Sequence, residues 1–182
     1  MIRQMEVSLG ELSALRRKIL TQMEEGSGRM ADLFSANSAL SALKKLRFEK
    51  TAADPLFDER MNFSEYLNQA FTYLVCLYAG GEILRRFSLC AVVINFGVQS
   101  GYDVASPDRG IICECFAATS VKSNEKLKKD ILRVHQNKEA REKLVYFYSD
   151  SAEAEQAYIQ RLGKQFPDVS INSVSFKQLT AI

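Results

Sequence analysis

The chain has 182 residues, 47% of them hydrophobic and 25% charged, with a net charge of +2. That length and composition suit one folded domain, with or without a helical appendage, and exclude a disordered or fibrous chain. The near-balance of charge excludes a polyanion-binding field spread over the whole surface, so any nucleic-acid contact has to come from a local patch.

From Ser8 to about Glu24, Leu12, Leu15, Ile19 and Met23 recur at helical spacing, and Gly26-Ser27-Gly28 breaks the pattern. A second helical stretch runs from about Arg29 to Leu46, with Met30, Leu33, Phe34, Leu40, Leu43 and Leu46 apolar. Residues 1–50 thus read as an N-terminal helical hairpin and 51–182 as the main α/β domain. The hairpin either packs on its own domain or serves as an arm for a homodimer or a protein complex.

Residues 47–61 are polar, contain Pro55 and read as a connection. Asn62 stands three residues before Glu65, the spacing of a capping box at a helix start. Leu67, Ala70, Phe71, Leu74, Leu77 and Tyr78 continue that helix, which Gly80-Gly81 ends or bends.

The period then becomes that of strands: CAVVINFGV (90–98), YDVAS (102–106) and GIICECFAA (110–118), with Pro107-Asp108-Arg109 as the turn between the last two. A helix is expected from about Ser123 to His135, a buried strand at 144–149, a helix over 152–165 and a strand over 169–176. The order from residue 62 is α-β-β-β-α-β-α-β. This predicts a mixed sheet: a three-strand meander, then a helical crossover that brings 144–149 parallel to a neighbour.

Cys76, Cys90, Cys113 and Cys115 lie in apolar runs, their one close pair is Cys-x-Cys, and His135 is the only histidine. Zinc sites usually draw on two close ligand pairs, so four reduced, buried thiols are expected, as in a cytoplasmic chain. The N-terminal MIRQMEVSLGELSAL lacks the long apolar core of a signal peptide. The apolar stretch near 70–79 is too short to span a bilayer, so no membrane partner is expected.

A four-residue turn at 107–110 pairs Ser106 with Ile111 and sets Asp103 directly opposite Glu114. Opposed side chains share a sheet face about 4.5–5.5 Å apart at Cβ. Two carboxylates so placed repel, and a cation between them relieves this. Oxygen ligands suit Mg²⁺, which keeps waters for phosphodiester chemistry. A register slip of one residue would put the two on opposite faces. The structural alternative has Asp103 capping the strand entry after Gly101, and Glu114 paired with a lysine. Lys122, Lys126, Lys129 and Arg133 share a helix face, either a solvated one or a phosphate-contacting stripe.

The segment GYDVASPDRGIICECFAATSVKSNEKLKKD resembles the motif region of the PD-(D/E)XK restriction-endonuclease-like superfamily. With the element order, the resemblance covers about residues 62–149. It implies that Asp103 and Glu114 bind Mg²⁺ and that Glu65, on the first core helix, assists at the metal. Tyr102 stands in place of the motif proline, and Phe116 in place of the motif lysine. Some members supply that lysine from the next helix, where Lys122 or Lys126 could reach back. Lys126 is preferred as the residue one turn inside the helix. The resemblance implies a Mg²⁺-dependent DNA endonuclease, in a defence or restriction setting, that dimerises to cut both strands. Lys122, Lys129 and Arg133 would contact the nucleic acid. Two other classes stay open: a nuclease-fold subunit without catalysis that binds DNA or a protein, and an interaction protein working through residues 1–50.

Overall fold

The computed structural model describes residues 3–97 and 100–181. Its first elements are strand β1 (Gln4–Val7), helices α1 (Leu9–Ser35) and α2 (Ala39–Phe48), short strands β2 (Ala52–Ala53) and β3 (Arg60–Met61), and helix α3 (Phe63–Arg86). Strands β4 (Val92–Asn95), β5 (Val104–Ala105) and β6 (Ile111–Ala117) follow, then helix α4 (Lys126–Gln136) and strand β7 (Glu142–Tyr148). Helix α5 (Gln156–Gln165), strand β8 (Ser170–Val174) and helix α6 (Phe176–Thr180) close the order.

The main sheet has six strands in the order β1-β4-β5-β6-β7-β8, antiparallel from β1 to β6 and parallel from β6 to β8. The alternation of β6 explains why helices cover both faces. Ile111, Cys113 and Cys115 point into a core shared with α1 and α3, through Leu12, Ile19, Ala70, Leu74 and Leu77. Ile112 and Phe116 point the other way, against Leu127, Ile131 and Val134 of α4 and Ile159 and Leu162 of α5. Such a strand, buried on both faces, reads as a continuous apolar run. Glu114 belongs to the second face. The fold is therefore α/β with a mixed central sheet between helices.

Residues 3–50 differ from the expected hairpin. β1, which the sequence reading did not include, joins the main sheet beside β4. Helix α1 runs straight through Gly26-Ser27-Gly28 and ends only at Ser35. Gly26 is a packing glycine, not a breaker: a Cβ there would lie 2.9 Å from the Tyr66 hydroxyl. That hydroxyl donates to the Gln22 carbonyl at 2.6 Å, pinning α1 against α3. Arg3 adds a second tie through Asp54 and the Tyr73 hydroxyl, each at 3.2 Å. The expected boundary at residue 50 thus cuts across one sheet and one core. Met1, Ile2 and the end of the expected strand at Val98 lie outside the described residues.

The same logic corrects Gly80-Gly81. α3 continues through them to Arg86, because the bare Gly80 lets the helix approach the sheet: a Cβ there would meet Val92 and Ile94 at 3.3 Å. At its start, Asn62 accepts the Glu65 N–H at 2.9 Å and Glu65 accepts the Asn62 N–H at 3.2 Å, the expected capping box. Cys76, Cys113 and Cys115 are buried free thiols, whereas Cys90, expected inside, is exposed in the turn before β4. Among the described residues no helix is long and apolar enough to cross a membrane.

Candidate active site

The β5–β6 hairpin is closed by a tight turn. Ser106 donates its backbone N–H to the Ile111 carbonyl, and its hydroxyl accepts the Ile111 N–H, both at 2.9 Å. Asp108 accepts the Gly110 N–H, and Arg109 takes the left-handed conformation (φ 57°) that turns the chain back. With Val104 opposite Cys113 and Ala105 opposite Ile112, the register carries Asp103 to the position opposite Glu114. The two share the face covered by α4.

Both groups are held. β5 begins only at Val104, so no strand partner precedes it beside β6; the Asp103 carboxylate fills in by accepting the Cys115 N–H at 2.7 Å. Glu114 is 1% exposed. Arg133, from the inner edge of α4, donates to its Oε2 at 3.2 Å and lies 3.0 Å from Oε1. The same guanidinium donates to the Gly101 carbonyl and lies over the Tyr102 ring, 5.5 Å from its centre. Glu114 is thus paired, with an arginine in place of the lysine of the structural alternative, whereas Asp103 holds the β6 backbone instead of capping the strand entry after Gly101.

Electrostatics follow from burial. Desolvation pushes the Glu114 carboxyl up to about 9, the Asp103 charge pushes it further in the same direction, and Arg133 pulls it back. Burial also raises Asp103, and the Cys115 N–H works against it by lowering the carboxyl. Two buried acids that face each other thus resist carrying both charges at once, and the Arg133 charge eases this at Glu114.

Lys126 opens α4 instead of lying one turn inside it, and it reaches back to the hairpin. Its ammonium sits 5.9 Å from the centre of the Phe116 ring, the residue in the place of the motif lysine, and its charge acts on Asp103. The sequence reading missed its partner: Lys126 donates to Asp130 Oδ1 at 2.6 Å. Asp130 is 3% exposed, and burial raises its carboxyl to about 6. The signal was present, since Asp130 falls between Leu127, Ile131 and Val134 on an apolar helix face.

The other expected residues lie apart from this cluster. Glu65 is exposed, caps α3, and so stands on the far side of the sheet from Glu114. Lys122 pairs with Glu155 at 3.4 Å and lies over the Tyr158 ring. Lys129 donates to the Asn124 carbonyl at 2.8 Å. Of the expected stripe, Lys126 and Arg133 turn toward the acids and Lys122 and Lys129 do not.

Among the described residues, two buried side-chain oxygens lack a hydrogen-bond partner, Glu114 Oε1 and Asp130 Oδ2. Buried carboxylate oxygens without donors suit a hard cation, so the residues present fit Mg²⁺ in donor chemistry. As the side chains stand, no three His, Cys, Asp or Glu among the described residues are grouped to hold a metal. Beside the cluster, the open face of β4 and β5 forms a cavity of about 200 Å³ lined by Asn95, Tyr102, Arg109 and Asn137, among others. Comparison with protein families, curated proteins and solved structures returns no match to this chain.

Proposed function

We propose that this chain is a metal-dependent nuclease that hydrolyses phosphodiesters of DNA. The supporting observation is the juxtaposition of Asp103 and Glu114 on one sheet face, with the Lys126 ammonium beside them over Phe116. Asp103 and Glu114 would hold Mg²⁺, which supplies a water of lowered pKa and stabilises charge on phosphate oxygens when bound. The fixed Cys115 N–H orients Asp103. Lys126, about half exposed, places a positive charge where a phosphate oxygen gains negative charge. DNA would approach over the open face of β4 and β5, where the cavity beside Tyr102 and Arg109 lies.

The test is nicking of supercoiled DNA with Mg²⁺ or Mn²⁺, which chelation should stop. Asp103→Ala and Glu114→Ala are each expected to remove it. Cleavage that survives both substitutions excludes this site. Intact DNA binding without cleavage on any substrate favours the second reading, a nuclease-fold subunit that binds DNA or a protein. Phe116 in the lysine position and the Arg133–Glu114 ion pair favour that reading.

We further propose assembly through α2. Leu12 and Ile19 are buried in the chain's own core and Leu15 packs against it, so they cannot serve a partner. Leu40, Leu43 and Phe48 are 81%, 53% and 75% exposed. Covering side chains of this kind gains roughly 1.5–3 kcal/mol each before association costs. Light scattering at tens of micromolar is expected to give a dimer that Leu40→Glu with Leu43→Glu dissociates; a monomeric wild type rejects this.

A further inference from the structure

A cavity of about 310 Å³ lies between α1, α3 and α6. That is the small end of the roughly 300–1,000 Å³ typical of small-molecule sites. Its apolar lining comes from Leu9, Leu12 and Leu77, of which Leu12 and Leu77 belong to the core on the sheet face away from Glu114. Its polar lining includes Arg16, Tyr78 and Arg85. Two hydrogen bonds hold the end of the chain in place as one wall. Arg16 donates to the Ala181 carbonyl at 2.6 Å, and Gln178 donates to the Tyr78 hydroxyl at 2.7 Å.

The charge around this cavity is unbalanced. Arg85 pairs with Glu82 at 2.7 Å, whereas Arg16 has no acidic partner among the described residues. Two guanidinium groups thus meet one carboxylate. Burial, and next the Arg85 charge, lower the Arg16 guanidinium from its ordinary value, so holding the two together has a cost. The Arg85 guanidinium lies against Gly81, where an added Cβ would stand 3.5 Å from its Nη1. Planar guanidinium forks match the two oxygens of a carboxylate. The Tyr78 hydroxyl accepts from Gln178 and keeps its own O–H to donate.

We infer that this cavity binds a small organic acid, its carboxylate held by Arg16 and Arg85 and its short apolar chain laid against Leu9, Leu12 and Leu77. One negative charge matches the positive charge left over. The Glu82 carboxylate beside Arg85 works against a dianion such as a phosphate monoester. Binding ties α1 and α3 to the end of the chain, and it needs nothing from Asp103 or Glu114.

The probe is hexanoate, titrated into the full chain by calorimetry and followed by thermal unfolding. Hexanol, with the same chain and no charge, and hexyl phosphate are the comparison ligands. Hexanoate is expected to bind and to raise the melting temperature. Hexanol should bind about tenfold more weakly or worse, because a hydrogen bond to a charged group is lost. Hexyl phosphate should bind no tighter than hexanoate. Arg85→Gln should weaken hexanoate by about tenfold or more and leave hexanol unchanged. Arg16→Gln should do the same, but it also loses the bond to Ala181. If it does not fold, Arg85→Gln decides, since that side chain is exposed. Hexanol binding as tightly as hexanoate overturns the anion site. Tighter binding of hexyl phosphate overturns the ligand class. No binding of hexanoate at millimolar concentration, or binding indifferent to the arginine substitutions, overturns the inference outright.

Discussion

Glu114→Gln is expected to remove cleavage and, at the same time, to make the protein more stable at neutral and alkaline pH. Loss of a carboxylate that would ligate the metal should reduce activity by roughly 10²-fold or more, beyond what outer-shell partners cost. The stability effect has the opposite sign because Glu114 is 1% exposed and faces Asp103. Its carboxyl lies near 4.5 when unfolded and is raised to about 9 in the fold. The folded state therefore holds the proton more tightly. That contribution is complete below the unfolded value, and it drains away as pH rises through the window toward the folded one. Each pH unit crossed costs at most about 1.4 kcal/mol. Glutamine does not titrate, and its amide brings no second negative charge to face Asp103. Thermal unfolding from pH 6 to 9 should show wild type falling while the variant falls less, with the gap widening at each step. A variant less stable than wild type at pH 8 rejects the account of Glu114 as a costly buried acid.

The second large effect is Ile19→Ala. Ile19 is fully buried in the core between α1, α3 and the sheet. Truncating a buried isoleucine costs about 2–5 kcal/mol, the lost transfer energy plus the cavity. In a chain of this size that lowers the melting temperature by roughly 4–20 °C at 2–4 °C per kcal/mol. The reading of α1 as a docking arm gives a different result: association weakens while the protomer's unfolding is barely altered. A melting drop independent of protein concentration places Ile19 in the chain's own core. A drop that disappears on dilution returns it to an interface.

The α/β class, the mixed sheet and the hairpin register were legible because each rests on local chemistry. Pro107-Asp108-Arg109 sets the turn, the period changes from helix to strand around residue 90, and Asn62 with Glu65 marks a helix start. What escaped was set by distant neighbours. Four residues of β1 carry little alternation, and their strand character comes from pairing Gln4 with Asn95. Gly26 and Gly80 look like breakers until Tyr66 and Ile94 show what they make room for. Asp130 looks like one acid among many in a basic segment until α4 packs and buries it. That Lys126 lies near β6 was legible, yet its partner was not, because the i, i+4 pair with Asp130 reads equally well as a solvated surface pair.

The placement of β1 also bears on how the protein is made. Its partner β4 follows α1, α2 and α3 in the chain, so β1 has no β4 edge to join until three helices have been made. During that interval Leu12 and Ile19 have no sheet beneath them. Pairings of such long sequence separation form late and leave apolar surface open to aggregation. Closure of β1 onto β4 thus waits for residues 92–95, and until they appear the apolar side of α1 is open to chaperones and proteases.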